Sequence, residues 1–255
     1  MPTTARLFRT EAIILRRRDF GEADRLLTVF TPERGKIRVI AKGARKPTSR
    51  KGGHLELFAR VDMLIAKGRE LDIVSQAEMV EPYLPVRQDL VRTTYAAHMV
   101  ELLDRFTGEE EENARAYHLL VAALGYLCQE VDLRLTARFY ELRLLSWVGY
   151  QPQLFACAIG GEEITAQDQF FSYADGGVVC PEHAQADLTP LSLGALKVLR
   201  YLQTHDFERA RVLRLRPALH AELERVLHSY ITYLLERRLQ SADFLRRLRR
   251  ESAAK

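Results

Sequence analysis

Eight Lys/Arg and no Asp/Glu fall within residues 34–51: Arg34, Lys36, Arg38, Lys42, Arg45, Lys46, Arg50 and Lys51. Such a run neutralises a polyanion, and the obvious polyanion is a nucleic-acid backbone. Most solvated faces mix the two signs of charge, whereas these cations repel one another unless an anion sits among them. The plainer alternative is a solvated strand face followed by a flexible loop. Arg16, Arg17 and Arg18, with Arg6 and Arg9, extend the track if folding brings the first and third strands together. Phe20, Phe30 and Phe58 lie in the same region and are of the type that stacks on bases. For Phe30 and Phe58, filling a barrel core is the expected role.

A second group could hold a metal. Cys157 and Cys180-Pro-Glu-His183 resemble two zinc knuckles, which ordinarily need two ligands each. The Cys180/His183 knuckle is intact, but Gly160 stands where the partner of Cys157 is expected. Glu162, Glu163 or water would have to supply the fourth ligand. The sequence favours a relic held by its own packing, with reduced cysteines and no cofactor, over an occupied site.

Other chemistry is hard to find. There is no G-x-S-x-G, H-E-x-x-H, phosphate loop or dinucleotide fingerprint, and an enzyme is not expected. A nucleic-acid deaminase would need an H-x-E…P-C-x-x-C arrangement, which is missing. Arg237-Arg238 and Arg246-Arg247-Leu248-Arg249-Arg250 form at best a secondary phosphate surface, since arginines also complement a helix C-terminus.

The elements that position these residues follow from their period. Ala12–Arg17, Arg25–Thr31, Lys36–Ala41, Leu55–Ala66 and Leu71–Val80 read as strands. In the third, Ile37, Val39 and Ala41 alternate with the cations and predict a buried face opposite a basic one. Five short-linked strands suggest a small closed or nearly closed barrel. After the breaker Glu81–Pro85, amphipathic helices are predicted over Val86–Phe106, Asn113–Val131 and Leu133–Val148, packed antiparallel. The acidic loop Gly108–Glu112 is expected at the positive N-terminus of the second of these. Residues 150–190 break the pattern with a hairpin turning at 174–177, and helices resume from Ser192.

Charge follows the same division. Residues 1–80 hold 17 Lys/Arg against 10 Asp/Glu, whereas 81–255 hold 21 against 24. Polyanion contact is therefore expected near the N-terminus. No run approaches the ~18 apolar residues of a membrane span, and no signal-peptide core precedes Glu11. Three cysteines make no disulfide framework, which fits a reducing cytoplasm.

Taken in order, several segments resemble the bacterial RecO family of recombination mediators. They are Glu11–Arg16, Asp19–Asp24, Leu27–Gly35, Ala41–Arg45, Phe139–Arg143 with Gly149–Pro152, and Phe171–Cys180. The resemblance implies an α+β multidomain fold: an OB-fold barrel over 1–81, then an all-α domain over 82–255 interrupted by a zinc-finger-like, degenerate insertion at 150–190. The family's zinc pattern is Cys-x-x-Cys twice, and this chain departs from it at Gly160 and His183. The family link implies binding of single- and double-stranded DNA, strand annealing, and cooperation with RecR to load RecA on strands coated by single-strand-binding protein, at the bacterial nucleoid. The eight cations of 34–51, with Arg16 and Arg18, are then the phosphate contacts. The acidic tail of single-strand-binding protein would seek a cation-plus-apolar groove on the helices, with Arg134, Arg138, Tyr140 and Leu144 as candidates. The rival function is an adaptor whose basic face binds an acidic protein and never DNA.

Overall fold

The computed structural model describes residues 7–236, together with 241, 244, 245, 247 and 248. Arg6, Arg237, Arg238, Arg246, Arg249 and Arg250, named above as auxiliary cations, lie outside the described residues. The elements are β1 (Leu7–Phe20), β2 (Asp24–Thr31), β3 (Gly35–Ala41), β4 (Arg60–Ala66), β5 (Asp72–Glu81), α1 (Leu84–Gln88), α2 (Leu90–Phe106), α3 (Ala114–Gln129), α4 (Leu133–Trp147), β6 (Gln169–Ser172), β7 (Gly177–Val179), β8 (Thr189–Leu191), α5 (Leu193–Thr204), α6 (Phe207–Ala210) and α7 (Pro217–Leu235). The chain forms two compact units, one of residues 1–96 with 103–128, the other of 97–102 with 129–255. Of the helices after the barrel, α3 belongs to the first unit, α4 to the second, and α2 contributes residues to both.

In the first unit, five strands close in the order β1-β2-β3-β5-β4. All neighbours are antiparallel except β3 and β5, which pair in parallel only at Val39–Asp72 and Ile40–Ile73. Alternation puts Ala12, Ile14, Leu27, Val29, Ile37, Val39, Ala41, Val61, Met63 and Ile65 into one buried cluster that fills the barrel. A register shift between Ile14 and Arg16 adds one residue to β1. This bulge carries the pleat past Leu15 and keeps Ile13, Arg16 and Arg18 on the outer face.

The N-terminal half of β3 has no partner in β5, and its exposed backbone groups need one. The acidic loop provides it: Lys36 bridges Glu109 in parallel, and the Glu110 N–H donates to the Lys36 carbonyl at 2.9 Å. The loop passes so close to β3 that a Cβ on Gly35 (φ +56°) would lie 1.8 Å from the Glu111 carbonyl oxygen. The loop then runs directly into the N-terminus of α3, where Asn113 accepts from the Ala116 N–H at 3.0 Å.

The predicted helix over 86–106 is two. Asp89 is extended (φ −113°, ψ 121°) and accepts from the Arg92 N–H, separating α1 from α2. In the second unit α4, α5 and α7 pack together, with Leu135, Leu142, Leu145, Leu196, Leu199, Leu223 and Leu227 buried. A three-stranded sheet, β7-β6-β8, carries the predicted hairpin. No helix among the described residues is long and apolar enough to cross a membrane.

Candidate nucleic-acid interface

The registers of β1, β2 and β3 lay the outer-face residues in rows. Ile13, Phe30 and Lys36 form one, Arg16, Thr28 and Arg38 the next, and Arg18, Leu26 and Ile40 the third. Outer does not mean solvated. In the first row Ile13 and Phe30 are wholly buried, and Lys36 is buried with them. The Lys36 ammonium donates to the carbonyls of Asp104 (2.7 Å) and Thr107 (2.9 Å) and pairs with the Asp104 carboxylate at 3.1 Å. An ammonium has three N–H groups, and all three are engaged. Lys36, expected as a phosphate contact, is instead an internal tie between strand and helix.

The other nine expected cations divide by what already holds them. The Arg34 guanidinium lies over the Phe8 ring, 3.8 Å from its centroid. Lys51 donates to the Val74 carbonyl at 2.8 Å, and burial holds its ammonium below the usual lysine range. Three are exposed but paired: Arg16 with Asp104, Arg38 with Glu109 at 3.3 Å, and Arg45 with Asp19 at 3.2 Å. Such solvent-facing pairs contribute little and exchange readily. Arg18, Lys42, Lys46 and Arg50 are exposed, and their side chains make no hydrogen bond or ion pair among the described residues.

These four are gathered at one end of the barrel. The Arg45 N–H donates to the Ala23 carbonyl at 2.9 Å, and the Gly43 N–H donates to the Asp24 carboxylate at 2.7 Å. Both bonds tie the basic loop to the β1–β2 turn, beside Arg18. Phe20, at the last position of β1, is about half exposed there, whereas Phe30 and Phe58 are buried. The surface thus combines unengaged cations with one accessible aromatic ring. Arg9 is not part of it, being held by Asp62 on β4.

On the helices, the expected groove does not form. Tyr140 and Leu144 are buried, with the Tyr140 hydroxyl donating to the Met99 carbonyl at 3.0 Å. Arg138 donates to Glu141 at 2.5 Å, and the same carboxylate meets His98 Nε2 at 2.7 Å, inside the unit. Arg134 pairs with Glu224 at 3.6 Å. Period 3.6 identified a face, but that face is interior.

The Cys/His group does come together. Cys157, Glu162, Cys180 and His183 place one donor atom each within 4.8 Å of one another. The backbone explains this. The Cys157 N–H donates to the Glu162 carbonyl at 2.7 Å, and Gly161 turns the chain with φ +82°. The Ala158 N–H donates to the Val178 carbonyl at 2.8 Å, which seats this turn beside β7 and the Cys180 knuckle. Burial disfavours the Cys157 thiolate, but N–H groups of Gly160, Cys180 and Ile159 more than offset it, bringing that thiol down to about 7. Burial pushes the Cys180 thiol up.

The chain has relatives among known proteins. Residues 5–83 match the family model "Recombination protein O N terminal", and residues 87–243 match "Recombination protein O C terminal". The chain is 46% identical over 242 residues to a DNA repair protein RecO from Roseiflexus sp. (strain RS-1), covering 94% of this chain and 85% of that one. It is 37% identical over 245 residues to the Desulforamulus reducens protein of the same name, covering 95% of each. A third, from Symbiobacterium thermophilum, is 38% identical over 248 residues, covering 95% of this chain and 98% of that one. The chain that presents this cationic barrel end therefore belongs to the RecO family of DNA repair proteins.

Proposed function

We propose that this chain is a recombination mediator whose barrel is an OB-fold that binds single- and double-stranded DNA and anneals complementary strands. In this reading it works in the cytoplasm at the nucleoid, where with RecR it helps load RecA on strands coated by single-strand-binding protein. The observation that carries the DNA half is the group Arg18, Lys42, Lys46 and Arg50, exposed and unengaged beside Phe20. Annealing requires two phosphate backbones to approach while their bases stay free to pair. That calls for charge neutralisation with little base-edge recognition, which mobile cations and one stacking ring supply. No nucleotide hydrolysis is needed for such a step. The partner half rests on family membership, and no contact residues for RecR or for the tail of single-strand-binding protein are assigned.

Replacing Arg18, Lys42, Lys46 and Arg50 with Ala tests the reading. Each phosphate neutralised on a single strand contributes about 0.7 to the slope of log affinity against log salt, so four contacts account for about 3. Anisotropy of labelled oligo-dT over a salt series should show the slope fall by that amount, and annealing of complementary oligonucleotides should slow in parallel. A slope equal to that of the parent protein removes this end of the barrel from the DNA site. The carboxylates of Asp104 and Glu109 on Arg16 and Arg38 favour a second reading, an adaptor for acidic protein segments. That adaptor would leave oligo-dT unbound at low salt.

A further inference from the structure

We infer that the arginine-rich segment of residues 209–216 seats a second single strand of DNA, apart from the strand held at the barrel end, a reading that rests on strand annealing being the chain's function. Residues 81–255 hold 24 Asp/Glu against 21 Lys/Arg, yet 209–216 carry Arg209, Arg211, Arg214 and Arg216 and no acid. All four are exposed, and they run from the end of α6 to the start of α7 in the second unit. The acids around them are each held already. Glu130 and Glu208 both pair with Arg211, at 2.7 and 3.1 Å. Asp206 caps α6, accepting from the Arg209 N–H at 3.0 Å. Asp132 pairs with His220 at 3.1 Å, and Glu224 with Arg134 at 3.6 Å.

Arg211 thus fixes the fold of the segment, and the other three remain for a ligand. Arg209 and Arg216 make no side-chain hydrogen bond or ion pair among the described residues. Arg214 Nη1 donates to the Arg211 and Leu213 carbonyls, each at 3.2 Å, which orients its guanidinium without neutralising it. An aromatic pair stands at the head of the segment. The Tyr201 and His205 rings stack 4.0 Å apart at 11°, and the Tyr201 hydroxyl donates to the Arg209 carbonyl at 3.4 Å. Guanidinium forks match phosphate oxygens, and rings of this kind stack on bases of any sequence. An acidic peptide would satisfy the arginines but leave the ring pair unused. The barrel end offers Arg18, Lys42, Lys46 and Arg50 to one backbone. A complementary strand arriving there meets the phosphates of the first strand and is repelled. A separate seat on other residues holds both strands on one chain, where linkage raises the concentration at which they meet.

Oligo-dT of about 8 nucleotides, within the roughly 4–16 that one OB barrel covers, tests this by stoichiometry. At low salt the parent should bind two such strands per chain. Arg209→Gln, Arg214→Gln and Arg216→Gln together should leave the first binding event unchanged and weaken the second. Each phosphate neutralised on a single strand is worth about fivefold at 0.1 M salt, so the second affinity should fall about 100-fold, and annealing should slow with it. Lysine at the same three positions keeps the charge and should restore the second strand. Should Arg214→Gln disturb the loop, Arg209→Gln with Arg216→Gln, whose side chains hold nothing, should still weaken the second strand about 25-fold. A parent that binds one strand per chain, or a triple variant that binds two with the parent's affinities, overturns the second seat and leaves the barrel end as a DNA site. One strand per chain, with an Asp/Glu-rich peptide bound through these arginines, assigns the segment to a protein partner and equally overturns it. A parent that binds no oligo-dT refutes the DNA function itself, and both seats with it.

Discussion

Lys36→Met separates a structural lysine from a DNA-binding one. The substitution keeps the length of the aliphatic stem and removes a charge whose donors reach two carbonyls and a carboxylate. Removing one partner of a buried pair costs about 3–5 kcal/mol. Asp104 retains Arg16, so the loss is expected at the low end, about 3 kcal/mol. With a urea slope of about 2 kcal/mol per molar, the barrel's unfolding midpoint should fall by about 1.5 M, read by circular dichroism. The same protein, titrated with labelled oligo-dT below that midpoint, should retain the parent's salt slope, since this ammonium is engaged inside the unit. The opposite pair of results would refute the placement: unchanged stability together with a slope lowered by about 0.7, the share of one phosphate.

Gly35→Ala should destabilise the barrel by at least about 1 kcal/mol from its left-handed backbone, and more because the Glu111 carbonyl must move. Hydrogen exchange should report that the Glu110 N–H loses protection as the loop leaves β3. Burial would raise the Asp132 carboxyl, but His220 and the Leu135 N–H outweigh burial and hold it below the usual range. Its stabilisation is therefore present above the unfolded value near pH 4 and fades as pH falls through the lower folded value. Asp132→Asn keeps the helix cap, so thermal midpoints of parent and variant should differ near pH 6 and converge on acidification.

Much of the barrel was legible because its strands alternate strictly, and five buried faces need one common interior. Lys36 shows where that reading stopped. Period two distinguishes an inner from an outer face, but says nothing of a segment some 70 residues on that covers the outer one. The same ambiguity turned Arg138 and Tyr140 from groove residues into interior ones, because an amphipathic helix does not reveal which of its neighbours is water. The split at Asp89 did carry a signal, a capping residue three positions before Arg92, obscured by the apolar period running through it. Among the metal candidates, Cys180-x-x-His183 was visible from spacing alone. Choosing Glu162 over Glu163 was not, since it depends on the left-handed turn at Gly161 and the pairing of Ala156 with Glu163.

The passage of the 108–112 loop over β3 also constrains how this sequence can change. A side chain at 35 would meet the Glu111 carbonyl, which is backbone and cannot swing aside as a side chain would. Any residue but glycine there pushes the loop off the strand, and the Lys36 carbonyl then loses the Glu110 N–H that satisfies it. Position 35 and the path of a loop more than 70 residues later are thus inherited as one unit.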